Sequence, residues 1–197
     1  MTHSFLHPLA RLLQATRSSL SAFRANRNGI AAVEFAMLAP VLVIAFIGTF
    51  ELAEAITVNR KVSHATSTVG DLITQSETLS STDVENIFDA TEAVMSPYPA
   101  SSLKIVIATV EADKNGDPKV VDSKARNTSS WPTGTTPPVT IPDGIDYTSQ
   151  QVVIAKSEYA YTAVFGSLAK EIIGQDSFTL SDTFFLRPRN SDTITFN

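Results

Sequence analysis

The chain has 197 residues with a formal net charge of −5, and it contains no cysteine. The acidic balance argues against nucleic-acid binding. The missing thiols exclude disulfides and cysteine nucleophiles, so an exported domain of this chain has to be held together by packing or by partners.

The first 29 residues form a basic leader with four arginines and no acidic residue. Apolar residues recur there at near-helical spacing, which fits either a helix lying on the anionic inner leaflet or an unstructured tail. A cleaved secretory signal is disfavoured, because the apolar stretch that follows is too long for one and leads into charged residues.

Residues 30–50 are predicted to form a transmembrane helix. These 21 residues contain one charge, Glu34, and a helix of that length spans about 31 Å, enough to cross the hydrocarbon core of a bilayer. The stretch is apolar on all sides, so lipid is its expected surroundings. Residues 30–197 carry 11 Lys or Arg against 20 Asp or Glu, so the positive-inside rule keeps the leader in the cytoplasm and translocates the rest.

Glu34 is the unusual residue of this helix. A carboxylate inside a span costs roughly 2.5–3.5 kcal/mol at the helix centre and is usually kept for a purpose, although a Glu this near the edge could also snorkel to the headgroups. Gly29 directly precedes the span, and a cut after it would free the amine of Ile30 one turn from Glu34. That amine and the carboxylate could pair within or between chains, which lowers the cost of both charges in lipid. The alternative is that Gly29 merely begins the helix.

The sequence GIAAVEFAMLAP at residues 29–40 resembles the TadE/TadF-like pseudopilins of the tight-adherence (Flp) pilus, a branch of the type IV pilin superfamily. The resemblance implies that a prepilin peptidase cleaves between Gly29 and Ile30. It also implies that Glu34 is the fifth-position glutamate used in processing or in helix registration during assembly. Phe35 stands beside it, where the family often has tyrosine.

The same resemblance implies a role and a location. The protein would be a minor assembly component in the bacterial inner membrane, single-pass, with a cytoplasmic N-terminus and a periplasmic C-terminal domain. Its partners would be the prepilin peptidase, other pilins and tight-adherence secretion components. The alternative is an uncleaved bitopic scaffold that recruits pilus or envelope proteins through its periplasmic domain.

Residues 51–75 are predicted to continue the helix beyond the membrane. An apolar stripe recurs there at steps of four, three, four and three residues, formed by Val58, Val62, Ala65, Val69 and Leu72. This membrane-proximal amphipathic helix should pack on a soluble domain. Two heptads are too few to favour a coiled coil.

Residues 76–197 are predicted to form an α+β domain. A second helix begins at Thr82, with Glu85 completing a capping box, and ends before Pro97. Four strands are expected at residues 103–110, around Val120, at 151–162 and at 178–186, with a long loop at 125–149 and a short helix at 164–173 ended by Gly174. The fold class is therefore a long N-terminal helix packed on a small, mostly antiparallel four-stranded sheet, as in pilins.

Chemical sites find little support in the sequence. Residues 111–122 partly match a calcium-binding loop, but predicted strands flank them, so a hairpin turn is favoured. The pair Arg187 and Arg189 could bind a phosphate or an acidic group of a partner, although a solvated tail is the favoured interpretation. No histidine lies beyond His64, and no nucleophile or phosphate-loop motif is present. We predict no catalytic residue, metal site, cofactor or small-molecule substrate; a membrane-tethered enzyme would need a site built from Asp, Glu, Lys or Ser.

Overall fold

The computed structural model describes residues 28–197, except for the side chains of Asn28, Leu168, Ala169, Ile172 and Ile173. The predictions for the basic leader fall on residues outside this range, apart from its last two. The described residues divide into two compact units with a boundary between Thr49 and Phe50. The unit from Phe50 onward contains the sheet.

The first helix, α1, runs from Asn28 to Thr74 over 47 residues and contains Pro40. The prediction of one helix from about Ile30 to Gln75 is confirmed. Its N-terminal part is apolar on all sides, and its C-terminal part has one apolar stripe, so the change of surroundings occurs within one continuous helix.

The remaining elements follow in chain order. They are β1 (Thr78–Leu79), α2 (Ser81–Val94), a short 3-10 helix (Ala100–Ser102), β2 (Leu103–Ala112), β3 (Pro118–Arg126), β4 (Val152–Thr162), α3 (Gly166–Ile173), β5 (Ser177–Leu186) and β6 (Thr195–Phe196). Four strands form an antiparallel sheet in the order β3-β2-β4-β5, with a β-bulge between Thr109 and Val110. The predicted α+β class and the four-stranded sheet are confirmed.

One face of the sheet packs against α1. The helix contributes five fully buried residues to this core: Val58, Val62, Ala65, Val69 and Ile73. Sheet residues such as Ile105, Ile107 and Ala155 belong to the same core. Ile73 takes the position predicted for Leu72, which is only half-buried, because the last step of the stripe is four residues.

Gly70 marks a close approach between α1 and the sheet. A Cβ atom at this position would lie 2.6 Å from Leu186 Cδ1 and 3.3 Å from Ala155 Cβ. Such distances are shorter than normal carbon contacts of about 3.5–4.0 Å, so a side chain at this position would require the end of the Leu186 side chain to move away from α1.

The long loop between β3 and β4 covers the opposite face of the sheet. Trp131, Ile141 and Tyr147 pack against a second core that includes Val110 and Ile154. Both faces of β2 and β4 are thereby buried, which explains the nearly continuous apolar runs at residues 105–110 and 152–155 of these two central strands.

The start of α2 differs from the prediction. Ser80, not Thr82, is the N-cap, and its partner is Asp83 rather than Glu85. The Ser80 hydroxyl accepts the Asp83 backbone N–H at 3.2 Å, and the Asp83 carboxylate accepts the Ser80 N–H at 3.0 Å. This frame puts Leu79 and Val84, both buried, at the two positions that form a hydrophobic staple across a helix start. A cap at Thr82 would place a serine there instead.

The segment after β5 is folded, so the prediction of a solvated tail is wrong. The Arg189 N–H donates to the Thr74 carbonyl at 2.9 Å, and its guanidinium pairs with Asp71 at 2.6 Å. Beyond it, β6 pairs in parallel with β1, and Ile194 and Phe196 are buried in the main core. The C-terminal residues therefore close the domain beside the end of α1.

Candidate functional site

The residues predicted to direct processing and assembly lie on the first two turns of α1. Gly29 and Ile30 are the second and third residues of the helix, and Ile30, Glu34 and Phe35 are all exposed. Residues four apart lie on the same face with about 5–6 Å between their Cβ atoms. Ile30 and Glu34 therefore share one face, so a charged group at residue 30 would interact electrostatically with the Glu34 carboxylate.

The apolar helix that follows has no partner within the described residues. Its large side chains are mostly exposed by more than half, up to 74% for Met37 and 72% for Phe46. It is the one helix between residues 28 and 197 that is long and apolar enough to cross a membrane. Exposure of this much apolar surface is typical of a segment that lies in lipid or against other chains.

Two acidic residues come directly after this apolar stretch, and each is held by a tyrosine. Tyr161 donates its hydroxyl to Glu51 at 3.0 Å, and Tyr98 donates its hydroxyl to Glu54 at 2.8 Å. Glu51 also accepts the backbone N–H of Phe165. A cleft of about 240 Å³, lined in part by Glu54, Tyr98 and Tyr161, opens here.

These contacts change the acidity of both tyrosines. Burial, helped by the hydrogen bond to Glu51, raises the pKa of Tyr161 far above its usual value. The hydrogen bond to Glu54, followed by burial, raises the pKa of Tyr98. Both phenols therefore remain protonated donors throughout the neutral pH range. The two tyrosines fix the first turns of α1 after the apolar stretch to the end of β4 and to the segment after α2.

The residues suggested as a calcium loop form a hairpin between β2 and β3, as the favoured interpretation predicted. The Asp113 carboxylate accepts the backbone N–H groups of Asp117 and Asn115 at 3.0 and 2.8 Å, which lower its pKa. Gly116 has φ +87°, a conformation that favours glycine. Among residues 28–197, no three His, Asp or Glu side chains are grouped as metal ligands would be.

The acid–tyrosine pairs could not be recognised from the sequence. Glu51 and Glu54 were visible as charges after the span, but their partners lie 110 and 44 residues further along the chain. The one available signal was that two acids stand a single helical turn apart at the end of a membrane segment, where unpaired charge is costly.

The described residues thus define a class of protein: one candidate membrane helix that continues into an α+β domain. Residues 29–71 match the family model described as TadE-like protein. This confirms the resemblance seen in the sequence for that segment, and it supports a membrane component associated with the tight-adherence pilus. No curated protein and no solved structure matches the chain.

Proposed function

We propose that this protein is a minor pseudopilin-like assembly component of the tight-adherence (Flp) pilus. It is inserted in the bacterial inner membrane, with the leader in the cytoplasm and the domain in the periplasm. The observation that carries the proposal is that the family match and the exposed apolar helix begin at nearly the same residue. The TadE-like match begins at residue 29, where Gly29 and Ile30 lie in the first turn of the exposed apolar helix and Glu34 lies one turn after Ile30.

In this proposal a prepilin peptidase cleaves between Gly29 and Ile30. A Cβ atom at Gly29 would have open space around it, so glycine is not needed there for packing and its presence fits recognition by a protease. Cleavage creates an ammonium group on Ile30. The Glu34 carboxylate, one turn away, then balances that charge in its own chain or in a neighbouring helix, and this pairing sets the axial register between subunits.

N-terminal peptide mass spectrometry on native membranes, with and without the prepilin peptidase, tests the processing step. We expect Ile30 as the N-terminal residue only when the peptidase is present. Gly29→Val should retain the leader, whereas Gly48→Val should be processed normally, because both glycines lie in α1 with no atom near an added Cβ. An intact leader in all samples would reject cleavage and favour the uncleaved bitopic scaffold.

The role of Glu34 is tested separately from cleavage. Glu34→Gln keeps the shape of the side chain and removes its charge, so we expect reduced co-purification with other pilins even when the leader has been removed. Glu77→Gln is the matched control, since Glu77 is exposed in the C-terminal unit. Equal recovery of pilins with both variants would contradict a registration role for Glu34.

Orientation is tested by labelling a single cysteine, which is straightforward because the chain has none of its own. Lys114 is exposed in the turn between β2 and β3. In intact spheroplasts, Lys114→Cys should react with a membrane-impermeant maleimide without lysis. Labelling only after lysis would place the domain in the cytoplasm and contradict the proposed topology.

A further inference from the structure

The exposed large apolar side chains of the unit from Phe50 onward are confined to one part of it. Among the described residues they are Phe50, Leu52, Ile56, Val164, Phe165 and Phe178. Three lie on the first seven residues of α1 in this unit, Val164 and Phe165 lie on the segment that links β4 to β5, and Phe178 is the second residue of β5. We call these six residues the apolar collar.

The two halves of the collar are in contact. The rings of Phe50 and Phe165 lie edge to face, with 6.1 Å between their centres, and the Phe165 N–H donates to Glu51. Phe178 pairs in register with Tyr161 across β4 and β5. The segment between these strands is therefore held at the end of the sheet nearest to Phe50.

Dimensions favour the lipid headgroup region as the surroundings of the collar. Phe50 is the last residue of the predicted span, and at 1.5 Å per residue Leu52 and Ile56 lie about 3 and 9 Å further along the helix. The polar layer of each leaflet is roughly 5–7 Å thick. Aromatic and aliphatic side chains next to polar groups are typical of this layer. The collar thus begins at the residue where the predicted span ends.

We propose that the apolar collar inserts into the headgroup layer of the leaflet from which the span emerges. Val164, Phe165 and Phe178 then anchor the sheet end of the domain to the bilayer, in addition to the span itself. This inference rests on the proposed membrane insertion of residues 30–50. It adds a second membrane-binding surface, which belongs to the folded domain.

Fluorescence quenching by lipids brominated near the headgroups tests the collar. The full chain carries Trp131→Phe, so that one introduced tryptophan reports, and it is reconstituted into phosphatidylcholine and phosphatidylglycerol vesicles. Phe165→Trp and Phe178→Trp place the reporter in the collar, and Phe46→Trp places it in the span. Lys114→Trp is the control at the opposite sheet end, about 33 Å away along an 11-residue strand.

We expect quenching of the two collar reporters and of the span reporter, with no quenching at position 114. If the span reporter is quenched but the collar reporters are quenched no more than the reporter at position 114, the proposed insertion of the collar is wrong. Membrane insertion of the span would then still hold. An unquenched span reporter would reject insertion, and the collar with it. Val164→Trp, at a side chain that is 60% exposed, gives an independent collar reporter if a Phe→Trp chain misfolds.

Discussion

Replacing Phe196 with alanine should destabilise the domain strongly, although the residue lies in a two-residue strand near the end of the chain. Its ring is 7% exposed and belongs to the main core, with the Lys124 ammonium 5.7 Å from the ring centre. Truncating a buried Phe to Ala typically costs about 3–5 kcal/mol, and a site at the edge of the core belongs at the lower end. For a unit of this size, about 3 kcal/mol lowers the melting temperature by roughly 6–12 °C.

The assay is thermal unfolding of the full chain in detergent micelles, followed by near-UV circular dichroism. Thr195→Ala is the matched control, because Thr195 is the neighbouring residue of β6 and its side chain is exposed. We expect the control to change stability by less than about 0.5 kcal/mol. If Phe196→Ala melted at the temperature of the control, burial of the Phe196 ring would not contribute to the stability of the core.

Three smaller predictions concern capping and the helix–sheet junction. Ser80→Ala should lower the free energy of unfolding by about 1 kcal/mol, whereas Thr82→Ala should leave the melting temperature nearly unchanged. If Thr82→Ala were the more destabilising of the two, Thr82 would be the N-cap, as predicted from the sequence. The Ser80 hydroxyl and N–H lower the pKa of Asp83 below 3.8, so its contribution to stability is complete above that pH and is lost as pH falls through the lower folded value. Asp83→Asn should therefore flatten the fall in melting temperature below pH 3.8, and an unchanged slope would contradict this. Tyr161→Phe should cost about 1–2 kcal/mol through the lost hydrogen bond to Glu51, and no loss in a melting experiment would mean that water replaces the hydroxyl.

Elements with local signals were predictable from the sequence. The stripe from Val58 to Val69 shows the helical period directly, and β-branched runs mark β2 and β4. Gly174 ends α3 in the left-handed conformation, with φ +77°, as a glycine after a helical pattern predicts. In each case the cause of the structure lies within a few residues of the element.

Features that depend on distant partners were not predictable. The β1–β6 pair joins two strands of two residues each, too short to show any periodicity. The hydrogen bond from Ser63 to Asp182 spans 119 residues, and nothing near either residue indicates it. The N-cap of α2 was missed because Ser80 and Thr82 offer the same local motif, and packing of Leu79 against the core decides between them.

The candidate site also has one part that the sequence shows directly and one part that only the folded structure brings together. The motif at Gly29, Ile30 and Glu34 is contiguous, so the sequence alone shows it, and its role in processing stays a prediction. The tyrosines that hold Glu51 and Glu54 come from β4 and from the segment after α2. They meet the acids only once the sheet has formed, so sequence reasoning could not find them.

The close approach at Gly70 has a mechanical consequence. The neighbours of Gly70 in α1 are Val69 and Asp71, and a side chain brought to the place of Gly70 would displace the Leu186 side chain, whose Cδ1 would lie 2.6 Å from an added Cβ. Sliding the helix along the sheet therefore requires Leu186 to move and the buried stripe from Val58 to Ile73 to leave the core. A force that pulls on α1 along its axis is passed to the domain as a whole, so the domain moves with its helix or unfolds.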